Sequence, residues 1–329
     1  MTSSVIFKGI GAYAPSNTVT NDDLSQRMET SDEWIRTRTG IRERRIAVDG
    51  EECSDLAVNA ARAAIADAGL ELEDIDAVVL ATMSPDMPFP STACLVQHKL
   101  GLRNVPAFDV SAACSGFLYA LETGCGLLGN PRYKHVLVIG AEKMSTIIDW
   151  EDRATCVLFG DGAGAAVLAK SETPDVGVLE TILGSDGSNP SMLFMPGGGS
   201  ALRPDQASLE NRDFFLKMNG REVFKHAVRV MGQTTLDALA RRNLTAADVH
   251  CLIPHQANVR IIDAISTRLE LKDSQVFKNV DRYGNTSAAS VPIALAEARQ
   301  AGRFSSGDYV LLVAFGAGLT WGASLIKWH

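Results

Sequence analysis

The chain has no C-x-x-C pair, and its six cysteines, at positions 53, 94, 114, 125, 156 and 251, are scattered. That spacing argues against a disulfide framework or a zinc site and for free thiols. Positive charge is in short supply. The 31 lysines and arginines face 39 aspartates and glutamates, a net charge of −8. This balance argues against whole-molecule attraction to nucleic acid or an anionic membrane, and an acidic partner would need a local basic patch. The first residues, Met1-Thr-Ser-Ser-Val-Ile-Phe-Lys-Gly, lack the basic segment and long apolar run of a secretory signal, so a cytoplasmic protein is expected. No low-complexity tail or linker interrupts the chain. What remains, 329 residues of which 46% are hydrophobic and 21% charged, is ample for a large core in one domain or two.

One stretch invites a membrane reading, because 309–326 carries no charge and is long enough to span. Gly316, Gly318 and Gly322 interrupt it, and two buried strands joined by a glycine turn fit it better. Elsewhere short β-branched runs at 77–81, 135–140 and 309–315 predict strands, and amphipathic stretches at 54–68, 222–240 and 291–301 predict helices. This alternation predicts an α/β fold. The stretch 196–211, with three consecutive glycines, predicts an exposed loop.

The two halves share an order of signals. Strand-like 78–81, then Phe108-Asp-Val leading to Ser111-Ala-Ala-Cys, then 136–140 and 165–169 are matched by 251–253, then Val280-Asp-Arg leading to Gly284-Asn-Thr-Ser, then 310–315 and 323–327. An internal duplication is the preferred reading, divided into 1–172 and 173–329.

Three residues in that frame could carry chemistry. Cys114 lies at a strand-to-helix junction, where unpaired helical N–H groups favour a thiolate; the alternative is a small buried hydrophobe. Cys94, Cys125, Cys156 and Cys251 lie in apolar runs and read as packing. His255 follows a strand, as site residues in α/β proteins commonly do, or is a structural histidine. Asn285 follows Gly284 before small residues and is either functional or a helix N-cap. The duplication places Cys114 and Asn285 at equivalent junctions, with His255 ending a neighbouring strand. Asp161-Gly-Ala-Gly is no dinucleotide fingerprint, since the spacing is wrong and a strand-like run follows.

The motifs make the case specific. Thr30-Ser-Asp-Glu-Trp-Ile-Arg-Thr-Arg-Thr-Gly-Ile, Asp109-Val-Ser-Ala-Ala-Cys-Ser-Gly-Phe, Phe159-Gly-Asp-Gly-Ala-Gly-Ala, Pro254-His-Gln-Ala-Asn, Gly284-Asn-Thr-Ser-Ala-Ala-Ser and Phe315-Gly-Ala-Gly-Leu-Thr-Trp-Gly resemble the β-ketoacyl-acyl-carrier-protein synthase III family, in order and over nearly the whole chain. The resemblance implies the thiolase fold: two duplicated α/β halves with mixed central sheets in a five-layer αβαβα arrangement, assembled as a homodimer. It implies Cys114, His255 and Asn285 as catalytic residues and backbone N–H groups of Cys114 and Ala317 as the oxyanion hole. Trp34, Arg38, Thr39, Arg153 and Asn258 would bind coenzyme A. Phe89 would shape the partner's acyl pocket, and Lys225, Arg260 and Arg268 would dock the acyl carrier protein.

Two positions depart from the family pattern. Ala317 replaces a frequent glycine, which its role tolerates if the local φ is negative. Thr267 stands where some relatives carry lysine at the carrier-protein face. The implied reaction transfers an acyl group from acyl-CoA to Cys114 and condenses it with malonyl-acyl-carrier protein. It needs no metal, flavin or nicotinamide. Rival readings are a specialised condensing enzyme of secondary metabolism and a non-catalytic thiolase-fold subunit.

Overall fold

The computed structural model describes residues 4–329, so the first three residues of the amino-terminal stretch lie outside it. Two sheets form its frame. The first has five strands in spatial order Ser4–Tyr13, Gly162–Ser171, His135–Glu142, Ala77–Ala81 and Ala107–Val110. Ala77–Ala81 pairs in parallel with both of its neighbours, and Gly162–Ser171 runs antiparallel to both of its own. The second sheet has four strands in the order Val249–Pro254, Tyr309–Gly316, Thr320–Lys327 and Gly177–Ser185. Its first pair is parallel and the others antiparallel. Both sheets are therefore mixed.

Helices Gly116–Leu128 and Ser290–Gln300 lie between the sheets. Their apolar residues, including Phe117, Leu121, Val291 and Leu295, share one buried cluster with Val136 and Val138 of the first sheet and Val310 and Leu312 of the second. Strands buried on both faces read as unbroken apolar runs, which is why Ala77–Ala81 was legible. Cys53–Asp67 and Thr92–Leu100 cover the outer face of the first sheet, and Gly220–Ala240 with Val259–Arg268 covers that of the second. Five layers result, in the αβαβα order expected.

The uncharged stretch is two antiparallel strands, Tyr309–Gly316 and Thr320–Lys327. Among the described residues no helix is long and apolar enough to cross a membrane. Three readings need correction. The stretch 196–211 contains a short helix, Gln206–Glu210, started by the Asp205 side chain accepting from Ser208 N–H. Val280-Asp-Arg opens a helical turn, Val280–Tyr283, rather than a strand; in the second sheet the place of Ala107–Val110 is held by an isolated parallel bridge from Val276 to Leu252.

The third correction concerns the junctions. Each inner helix is entered through a short 3-10 turn, Ala113–Ser115 or Ser287–Ala289. The first residue of each turn is left-handed, with φ of 46° at Ala113 and 47° at Ser287. In that register Cys114 matches Ala288, and Asn285 stands three residues ahead of the equivalent position. A side chain larger than alanine has little space at 288. A Cβ on Gly116 would already be 3.3 Å from the Ala288 Cβ, and one on Gly140 would be 2.4 Å from its carbonyl oxygen.

Candidate active site

Cys114, His255 and Asn285 line one cavity of about 490 Å³. Cys114 follows the strand Ala107–Val110, His255 follows Val249–Pro254, and Ala317 in the same wall follows Tyr309–Gly316. The three side-chain bearers are buried, at 6%, 3% and 7% exposure, so polar contacts made here compete with little water. Met83, Met144, Leu193, Leu216, Phe224 and Met231 supply an apolar wall.

Each polar group is held from behind. The His255 N–H donates to Val313 O at 2.7 Å, and its Nδ1 stands 2.6 Å from Ser290 Oγ. Asn285 is clamped by its main chain: its N–H donates to Leu158 O at 2.8 Å and its carbonyl accepts from Gly160 N–H at 3.1 Å. Its Oδ1 accepts from Ser287 N–H at 2.8 Å, which orients the amide and leaves Nδ2 as the donor end. Asn285 is thus no N-cap, because the Ser290–Gln300 helix has no side-chain cap.

Burial pushes the Cys114 thiol up to about 12, with the Ser287 hydroxyl pulling the other way and the Glu142 carboxylate adding to the rise. This corrects the expectation of a lowered pKa. The amino end of a helix is present, but desolvation of the sulfur outweighs it in the free protein. Burial also drives His255 down to about 3, so the imidazole is neutral at working pH. The unfolded imidazole titrates near 6.5, so below that pH the unfolded chain takes up a proton the folded chain refuses. Stability present above pH 6.5 should therefore fall as the pH drops toward 3, by up to about 1.4 kcal/mol per unit. Urea unfolding between pH 7 and 5.5 tests this: a His255→Asn variant should lose part of the slope, and equal slopes would contradict it.

Two residues of the site went unread in the sequence. Glu142 is fully buried and, among the described residues, forms no salt bridge. Its Oε2 accepts from Ser84 Oγ at 2.5 Å and from Met83 and Ser84 N–H at 3.1 Å, and its Oε1 accepts from Ser287 Oγ at 2.9 Å. Burial raises its pKa against these bonds. It links the 82–84 segment to the Asn285 turn. Ser290, behind His255, is the second. Both serines lie inside the Gly284-Asn-Thr-Ser-Ala-Ala-Ser motif, and Glu142 ends a buried strand, but no local pattern distinguishes them from packing residues.

The coenzyme A candidates divide. Arg38 and Asn258 line the cavity, and Asn258 caps the Val259–Arg268 helix through Oδ1 on Ile261 N–H, leaving Nδ2 free. Trp34 is half-buried and stands against two guanidinium groups, Arg38 at 4.4 Å and Arg153 at 4.8 Å from the ring centre. A flat ring fits between Trp34 and Arg153 only if Arg153 swings away. Thr39 is corrected outright. It is buried, its hydroxyl donates to Ile35 O and accepts from Ile41 N–H, and it does not reach the cavity.

Ala317 has no positive φ, which satisfies the condition set for it. Phe89 is 84% exposed rather than packed in its own loop. Lys225 and Arg260 line the cavity mouth, whereas Arg268 sits at the far end of its helix against Gly232. Arg221 is part of the cavity wall as well. All six cysteines are free; Cys94 is exposed, contrary to its packing assignment.

A family model for 3-oxoacyl-(acyl-carrier-protein) synthase III matches residues 108–187, and the model for its C-terminal part matches 239–328. The β-ketoacyl-(acyl-carrier-protein) synthase III of Caldanaerobacter subterraneus subsp. tengcongensis is 52% identical over 97% of this chain and 96% of its own. That of Clostridioides difficile is 51% identical over 97% of each. The crystal structure of the Aquifex aeolicus VF5 3-oxoacyl-(acyl-carrier-protein) synthase III superposes with a TM-score of 0.90 at 47% identity, covering 99% of this chain and 100% of that one.

Proposed function

The chain belongs to the β-ketoacyl-acyl-carrier-protein synthase III family, and from that premise we propose that it initiates fatty acid synthesis in the cytoplasm as an acyltransferase condensing enzyme. It would join an acyl-CoA primer, acetyl-CoA first among them, to malonyl-acyl-carrier protein. The observation carrying the mechanism is that Cys114, His255 and Asn285 line one largely apolar cavity. Cys114 Sγ attacks the primer thioester carbon, the bond to the CoA sulfur breaks, and the thiol proton leaves with CoA. The N–H groups of Cys114 and Ala317 hold the oxyanion. Malonyl-carrier protein then binds. His255 and Asn285 donate to its thioester oxygen while CO₂ departs, and the enolate carbon attacks the acyl-cysteine and displaces Sγ. Decarboxylation drives the condensation, so the cycle calls on no metal or redox cofactor.

Incubation with labelled acetyl-CoA should place one acetyl group on Cys114, and added malonyl-carrier protein should convert it to β-ketobutyryl-carrier protein. An unlabelled Cys114 would sink the proposal. Turnover only with aromatic or long-chain primers would point to a specialised pathway.

Arg38 and Asn258 are retained as coenzyme A contacts, with Trp34 and Arg153 just outside the mouth. The two halves 1–172 and 173–329 are read as a duplication. A homodimer is supported by the half-buried edge strand Ala107–Val110 and by exposed Phe89 and Met87. Phe89 would reach the partner's acyl pocket, so Phe89→Ala should broaden acceptance toward longer primers; an unchanged primer profile contradicts this.

Carrier docking is assigned to Lys225 and Arg260, beside Arg221 and Arg38 at the mouth. Arg268 keeps at most an outlying role. Arg260→Glu should raise KM for malonyl-carrier protein and leave primer transfer unchanged. Lys225→Glu should do the same, with added repulsion from Glu222, now 2.7 Å from Lys225 Nζ. Salt should mimic both, as the Debye length falls from about 10 Å at 0.1 M to about 3 Å at 1 M. Equal loss in both half-reactions would contradict docking.

A further inference from the structure

Ser290 stands directly behind the His255 ring. It opens the Ser290–Gln300 helix and is 2% exposed. Its Oγ lies 2.6 Å from His255 Nδ1 and accepts the Gln256 main-chain N–H at 3.4 Å. Among the described residues, Nδ1 is the one acceptor within reach of the Ser290 hydroxyl hydrogen. This matters because a neutral imidazole carries its single hydrogen on one nitrogen or the other. Were it on Nδ1, the two hydrogens would compete for one line, and the buried serine hydrogen would be left without a partner. With it on Nε2, the Ser290 hydroxyl and Nδ1 are both satisfied. Gln256 N–H gives to Ser290 Oγ, Ser290 O–H gives to Nδ1, and each bond polarises the next in the same sense.

We propose that Ser290 is a positioning residue that holds His255 as the Nε2–H tautomer, with that hydrogen aimed into the cavity at the malonyl thioester oxygen. The inference rests on His255 acting as a donor in the decarboxylation. It also explains how a histidine that stays neutral can still donate. The primer half-reaction asks nothing of that hydrogen. Ser290 therefore serves one half-reaction and not the other, a split that general damage to the fold would not produce.

The test joins a spectrum to a rate. In full-length protein carrying ¹⁵N-histidine, the ring-nitrogen shifts at pH 7.5 report which nitrogen is protonated, and the signals missing in His255→Asn identify those of His255. The native protein should show a protonated Nε2 and a bare Nδ1. Ser290→Ala should show a mixed tautomer and lose malonyl decarboxylation by about 10- to 100-fold, the range seen when the group orienting a metal-bound histidine is removed. Acetyl transfer to Cys114 should change less than about twofold, and Ser290→Thr, which keeps the hydroxyl, should restore the spectrum. A protonated Nδ1 in the native protein overturns the proposal, even if Ser290→Ala does not fold. So does a Ser290→Ala protein with an unchanged ring. If His255→Asn decarboxylates normally, the donor role itself fails, whatever the tautomer.

Discussion

Cys114→Ala should abolish acetyl transfer while malonyl-carrier protein is still decarboxylated. The Cys114 sulfur is the proposed nucleophile, and its loss removes the covalent intermediate entirely. The donors do not depend on it. His255 is held by Val313 and Ser290, and Asn285 by Leu158, Gly160 and Ser287. His255→Ala and Asn285→Ala should behave in the opposite way: Cys114 still takes up acetyl, and decarboxylation slows. Removing one such donor typically costs about 10²–10³ in rate. Acetyl-enzyme measured by intact mass and CO₂ release measured separately resolve the two steps. A donor variant that condenses at the native rate would refute the division of labour.

Gly316→Ala should disable the site from behind while Cys114, His255 and Asn285 all keep their identities. Gly316 ends the Tyr309–Gly316 strand with its α-carbon pressed against the nucleophile's turn. A methyl group there would lie 2.6 Å from Cys114 N, 3.1 Å from Ser115 N and 3.2 Å from the Ala113 Cβ. The nearest two are main-chain atoms, which cannot rotate out of the way. The turn must move, and with it both the sulfur and the Cys114 N–H. Misplacement by about 1 Å can cost about 10²-fold, so a loss of at least that size in acetyl transfer is expected from a protein that still folds. Gly126→Ala is the control. That glycine lies in the Gly116–Leu128 helix with nothing within 4 Å of a Cβ, so alanine should stabilise by about 0.5–1 kcal/mol and leave activity alone. Native acetyl transfer by Gly316→Ala would show that the turn yields easily.

The readings that failed share a cause. Thr39 lies in a motif shared with the family, but whether its hydroxyl faces a ligand depends on how the Asp32–Thr39 helix sits on its neighbours, and there it turns inward. Cys114 stands near the start of a helix, a local feature that favours a thiolate; burial, which is non-local, raises its pKa instead. Val280-Asp-Arg resembles the opening of a strand, but the pairing along the free edge of Val249–Pro254 falls at Val276, opposite Leu252, and the chain is already helical at Val280–Tyr283.

Local order is what the sequence by itself determined. A short apolar run marks Ala77–Ala81, apolar runs parted by glycines mark the Tyr309–Gly316 and Thr320–Lys327 pair, and a 3.6-residue period marks Cys53–Asp67 and Gly220–Ala240, because these signals depend on residues a few positions apart. The motifs carried the family and the three polar residues. Tertiary structure alone decided that Cys114, His255 and Asn285 share a wall, that Ser290 backs the histidine, and that Gly316 presses on the nucleophile's turn. Those relations join segments far apart in the chain. They come into being when the sheets close on the two inner helices, and burial then sets which groups are charged and which way each hydrogen points.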